Sequence, residues 1–223
     1  MKLILLPGLD GTGNLFKALL EVLPNHITYQ VIPLSDECLN YSEQASQIAN
    51  QIDTDEIIIL AESYSGKIVY ELCKLDLNIK HIIFAASFIS RPSLISKFSS
   101  LLPIILIKKK FIPNQILSKL FFDSYNMSNS VSEVFESLNK VSNETLSSRL
   151  SLVSSLDEPN DRFAVKATYI RPSNDLFVMP ECIKPIKSTF QHLEVINVSG
   201  GHFILQSNPE RCSEIIQTKF EGW

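Results

Sequence analysis

Apolar residues along this chain fall into two alternating rhythms. Short, mainly apolar runs at residues 3–6, 29–33, 56–60 and 80–85 are too brief for helices and have the character of strands buried on both faces. Between them, residues 15–23, 42–52 and 68–74 carry apolar positions three and four apart, the spacing of amphipathic helices. Such alternation predicts a parallel sheet covered on both sides. From residue 91 to about 161 the strand signal stops, and Ser- and Leu-rich segments with helical spacing replace it, as at 131–138 and 146–156. Strand-like runs resume at 167–170 and 193–198, and a last helix is expected over 209–220. The expected architecture is α/β: a mostly parallel six-stranded sheet with helices on both faces. Residues 1–90 and 162–223 would form the core, and residues 91–161 an inserted helical cap.

Size agrees with one core, since 223 residues with 45% hydrophobic content leave little room for a second domain. A formal charge of −4 argues against a nucleic-acid partner. The apolar run before Pro7, Leu3 to Leu6, has only four residues, too few for a signal-peptide core, and no apolar run reaches the length of a transmembrane segment. A cytoplasmic location is the expectation. Cys38, Cys73, Cys182 and Cys212 are scattered without a CxxC pair, so no zinc framework or redox dithiol is expected.

The strongest chemical signal is Ile57-Ile58-Ile59-Leu60-Ala61-Glu62-Ser63-Tyr64-Ser65-Gly66, an apolar strand running into a small-x-Ser-x-small-Gly turn. At such an elbow the serine hydroxyl projects above the sheet, and small neighbours let strand and helix pass closely. Ser63 is the candidate nucleophile; the bland alternative is a serine that caps the following helix. A phosphate-binding loop fits poorly, because Ile68 stands where Ser or Thr would hold magnesium. Serine needs a base and an orienting acid. Asp175, in the turn after strand 167–170, is the candidate acid, with Glu181 the nearest substitute. His202 follows the last strand in Ser199-Gly200-Gly201-His202 and is the candidate base; His26, His81 and His192 fall at the wrong strand ends. The order Ser, Asp, His along the chain suits this assignment. Backbone N–H groups of Tyr64 and Leu9 are the candidate oxyanion donors, Leu9 lying in the Gly-rich loop after the first strand. Glu62 is expected to face solvent or to start the helix.

Together these residues resemble the α/β-hydrolase superfamily over nearly the whole chain outside the cap. Leu6-Pro7-Gly8-Leu9-Asp10-Gly11-Thr12-Gly13 with Ala61-Glu62-Ser63-Tyr64-Ser65-Gly66 is similar to a bacterial branch carrying PGxDGTG and AES-x-SG. Most relatives have His at the position of Pro7, and the first strand here would match the third of the full family sheet. The resemblance implies carboxylic-ester hydrolysis through an acyl-serine, with no cofactor and no metal.

Residues 91–122 hold Arg91, Lys97, Lys108, Lys109, Lys110 and Lys119 and no Asp or Glu, amid apolar residues such as Phe111. Solvated lysines on a lipophilic helix are the bland account. A sharper one assigns Arg91, Lys108, Lys109, Lys110 and Phe111 to substrate or partner binding, with acyl carrier protein as an acidic partner. In size and plan the chain is similar to esterases that demethylate pimeloyl-acyl carrier protein methyl ester in biotin synthesis. A general carboxylesterase or membrane-surface lipase, an acyltransferase using the same triad, and a non-catalytic binding protein are the alternatives.

Overall fold

A computed structural model describes residues 1–37, 39–53, 56–92 and 112–221. Lys97, Lys108, Lys109, Lys110, Phe111 and Cys38 lie outside the described residues.

Six strands form one sheet: β1 (Lys2–Leu6), β2 (Tyr29–Val31), β3 (Ile57–Glu62), β4 (Ile79–Ala85), β5 (Phe163–Pro172) and β6 (Phe190–Val198). Their order is β2-β1-β3-β4-β5-β6, and every pairing is parallel. The helices are α1 (Lys17–Val22), α2 (Tyr41–Ala49), α3 (Ser65–Leu72), α4 (Asn114–Phe122), α5 (Ser128–Asn139), α6 (Asn143–Ser154), α7 (Ile183–Thr189), α8 (Ile204–Ser207) and α9 (Pro209–Thr218).

Parallel strands need covered faces, and alternate side chains of each strand supply one core apiece. Ile4, Leu6, Ile57, Ile59, Ile82, Phe84 and Tyr169 pack with residues of α2, α3 and α7 on one side. Leu3, Leu5, Ile58, Leu60, Ile83 and Ile170 pack with residues of α1, α8 and α9 on the other. The central strand β3 is buried along its whole length, which explains its unbroken apolar run. Strands β5 and β6 begin several residues earlier than their apolar runs suggest, because their first halves are only partly buried and carry polar side chains.

Between β4 and β5 the described chain carries the helices α4, α5 and α6. Leu117, Phe121 and Phe122 of α4 and Val131, Val134 and Phe135 of α5 form a third apolar cluster with Leu15. Phe177 and Phe203, from the loops after β5 and β6, pack against it. Helix α6 instead reaches the sheet core through Val153. Among the described residues no helix is long and apolar enough to cross a membrane.

Two features position the site. All six strands end at the same side of the sheet, so the loops after β1, β3, β5 and β6 gather there. The order also reverses at β1: its successor β2 lies on one side and β3 on the other. Loops leaving β1 and β3 therefore diverge, which opens a crevice at a place where α/β sheets bind ligands.

Candidate active site

Strand β3 ends at Glu62 and helix α3 begins at Ser65, so Ser63 must reverse the chain within two residues. It does so with φ of +46°, in the left-handed region that L residues enter at a cost. The surroundings hold it there. Ser63 N donates to Ala85 O (3.0 Å), while Ser63 O accepts from Gly66 N (3.2 Å) and Ser87 Oγ (2.7 Å). Helix α3 then passes so close to the chain after β4 that a Cβ on Gly66 would collide with Ser87 Oγ and lie 2.5 Å from Phe88 O. This is why Gly stands at the end of the serine motif.

His202 and Asp175 meet Ser63 from the loops after β6 and β5. His202 Nε2 stands 3.0 Å from Ser63 Oγ, and His202 Nδ1 stands 2.8 Å from Asp175 Oδ2. The other carboxylate oxygen, Oδ1, accepts from Phe177 N (2.8 Å) and Val178 N (2.9 Å). One oxygen thus fixes the carboxylate to its own loop and leaves the second for the imidazole. The ring is flanked by Phe177 and Phe203, with centroids 5.2 and 5.4 Å away. Burial disfavours the charged ring, but the Asp175 carboxylate, helped by Glu62, outweighs it and holds the His202 pKa above its usual value.

Leu9 and Tyr64 flank the serine from the loops after β1 and β3. Among the described residues neither amide N–H has a hydrogen-bond acceptor, so both remain available to an incoming oxygen. Ser65 Oγ donates to Pro7 O (2.5 Å) and ties the two loops together. The Tyr64 ring is buried, and its hydroxyl accepts from Gln44 Nε2 at 3.0 Å.

Glu62 departs from expectation. Strand β3 extends through it, so its side chain enters the protein and is 5% exposed instead of facing solvent. Glu62 Oε1 accepts from Gln206 Nε2 at 2.9 Å, and Oε2 has no partner among the described residues. Burial is the main reason its pKa is raised to about 7; Asp10 adds to the rise, while Gln206, His202 and the Gly8 backbone oppose it.

Two further residues hold the loop after β1: Asp10, within the loop motif, and Arg149, which no sequence signal marks. Asp10 is buried, and its Oδ2 accepts from Ser137 Oγ of α5 (2.7 Å) and from Thr12 Oγ1 (2.6 Å). Arg149 of α6 reaches the same loop. Of the cap residues named from sequence, Arg91 is exposed just beyond β4. Lys119 pairs with Asp123, one residue beyond the acid-free stretch, so its charge is matched locally.

The fold recurs in solved structures at low sequence identity. The enol-lactonase from Burkholderia xenovorans LB400 matches with a TM-score of 0.80 at 10% identity, covering 98% of this chain and 90% of that one. An esterase from Exiguobacterium antarcticum matches at 0.79 and 14% identity, covering 99% and 92%. The epoxide hydrolase CorEH matches at 0.77 and 12% identity, covering 99% and 91%. No protein-family model and no curated protein sequence matches the chain.

Proposed function

We propose, taking as premise the α/β-hydrolase fold that this chain has, that it is a serine carboxylic-ester hydrolase with Ser63 as nucleophile, His202 as general base and Asp175 as orienting acid. One observation carries the proposal: a serine in the left-handed conformation, 3.0 Å from an imidazole nitrogen whose opposite nitrogen is held by a buried carboxylate. A capping serine would need neither partner.

In the reaction, His202 Nε2 takes the proton as Ser63 Oγ attacks the ester carbonyl, and Asp175 stabilises the imidazolium. The Leu9 and Tyr64 N–H groups stabilise the oxyanion of the tetrahedral intermediate. As the carbon–oxygen bond to the alcohol breaks, His202 returns its proton to the departing oxygen and the acyl group stays on Ser63. Water then attacks the acyl-serine by the same steps, releasing the acid and restoring the hydroxyl.

A fluorophosphonate probe tests this without knowledge of the substrate. Intact-protein mass should show one adduct on the wild type and none on Ser63→Ala. A folded wild type that takes up no probe would overturn the proposal, leaving a binding protein on this fold; acyl transfer to an added alcohol in place of water would make the enzyme an acyltransferase.

The finer substrate reading is a carrier-bound acyl ester, such as pimeloyl-acyl carrier protein methyl ester. Its support is the acid-free run of positive charge over residues 91–122, within which Lys119 pairs with Asp123. Charge reversal at Lys108, Lys109 and Lys110 should raise KM for a carrier-bound ester and spare a small free ester. Equal effects on both would remove the carrier and favour a general carboxylesterase.

A further inference from the structure

The loop after β1 is closed from the cap side by one buried side chain. Arg149, on α6, is 3% exposed, and its planar guanidinium donates to two loops at once. Nη1 reaches Leu9 O at 2.9 Å and Nη2 reaches Ser35 O at 2.9 Å. Asp36 Oδ1 lies 3.8 Å from Nη2, on a largely exposed side chain. Burying a cation is costly. Here much of its donor capacity goes to backbone carbonyls, an arrangement that a two-pronged guanidinium suits and an ammonium does not.

The same group shapes the turn beneath it. Gly11 has φ of +69°, and a Cβ there would lie 2.5 Å from Arg149 Nη1 and 2.8 Å from Cζ. Gly11 N donates to Gly8 O at 3.0 Å, which closes a turn over residues 8–11. Gly8 C=O and Leu9 N–H belong to one planar trans peptide, so whatever holds Gly8 O also fixes the direction of the Leu9 N–H. Arg149 fixes the next peptide through Leu9 O. With both planes held, the backbone rotations of Leu9 are restrained from both sides. The Ser137–Asp10 hydrogen bond anchors the same turn from a second cap helix.

We infer that Arg149 is a positioning residue for the oxyanion donor at Leu9: the cap, through this guanidinium, holds the Leu9 N–H in one orientation. This rests on the proposal that Ser63 is the nucleophile and Leu9 an oxyanion donor. A misaligned donor loses transition-state stabilisation while leaving substrate binding largely intact.

The experiment compares wild type, Arg149→Ala and Arg149→Lys on a p-nitrophenyl ester, with thermal unfolding of each. Removing one oxyanion donor typically lowers kcat by about 10²–10³-fold, so losing its alignment should lower kcat at least about tenfold with KM changed less than about threefold. Affinity for a trifluoromethyl ketone, which forms a tetrahedral oxyanion on Ser63, should fall by the same factor as kcat. Millimolar guanidinium should restore part of the kcat of Arg149→Ala and do nothing for wild type. Should Arg149→Ala fail to fold, Arg149→Lys keeps the charge and should show the same split between kcat and KM. A folded variant with wild-type kcat, or one whose kcat falls while ketone affinity holds, would overturn the inference. Failure of the underlying proposal is distinguishable, because the wild type itself would then take up no fluorophosphonate on Ser63.

Discussion

Gln206 Nε2 donates to Glu62 Oε1 at 2.9 Å, a buried hydrogen bond joining the residue before Ser63 to the helix that follows His202. It satisfies one carboxylate oxygen and leaves the other without a partner among the described residues. With its pKa raised to about 7, mainly by burial, Glu62 titrates near neutrality beside His202, whose imidazole must be neutral in the proposed mechanism to act as base.

Glu62→Gln should therefore alter both stability and the pH profile. An acid whose pKa is raised by folding stabilises the protein below its unfolded value, here near 4.5, and that contribution is lost as pH rises through about 7. The variant should have a Tm that depends less on pH between about 5 and 8, and it should gain relative to wild type at the upper end. Glu62 also raises the His202 pKa, so its neutralisation should move the acid limb of kcat/KM to lower pH. Both pH profiles unchanged would show that Glu62 does not titrate in this range.

Asp175→Asn should keep the fold and lose the chemistry. An amide oxygen can still accept from Phe177 N and Val178 N, but the amide cannot stabilise an imidazolium. We expect kcat to fall by about 10³–10⁴-fold, with a smaller change in KM. The His202 pKa should drop because its main supporting charge is gone. Histidine NMR titration and steady-state kinetics on the same sample would check both.

Phe121 is the hinge pin of the third apolar cluster. Its ring centroid lies 5.2 Å from that of Phe203, 5.8 Å from Phe177 and 6.3 Å from Phe135, linking α4 and α5 to the loops that carry His202 and Asp175. Phe121→Ala should cost about 3–5 kcal/mol locally. Hydrogen exchange should rise in α4 and α5 well before it rises in β3 and β4. Uniform loss of protection across the chain would mean that these helices and the sheet unfold as one unit.

How much of this was legible in the chain depends on the range of the forces involved. Local patterns carried the sheet, because the apolar run ending at Leu60 and the two glycines before His202 state their geometry within a few residues. Strand ends and chain order single out Ser63, Asp175 and His202, and the fold brings Ser63 and Asp175 within hydrogen-bond distance of His202. Glu62 departs from expectation for a physical reason: a carboxylate is rarely fully buried, so a solvent position is the natural expectation, and its inner partner Gln206 lies 144 residues later. Arg149 sits in a serine-rich helix with nothing around it to mark it, since its partners Leu9 and Ser35 lie more than a hundred residues upstream. The all-parallel pairing likewise depends on contacts that no local window contains.

In the proposed mechanism the left-handed backbone at position 63 sets the molecule's stability against its chemistry. An L residue held in that region gives up about 1–2 kcal/mol, which glycine would not. Glycine would return about 0.4–1 kcal/mol through the greater freedom of its unfolded chain. Ser63→Gly should consequently melt no lower than wild type and somewhat higher, measured by Tm, while taking up no fluorophosphonate; a lower Tm would mean that the elbow costs the fold nothing. A lineage released from the reaction would find glycine the easier residue here, so glycine at this position in a related chain would mark vanished chemistry on an undamaged scaffold.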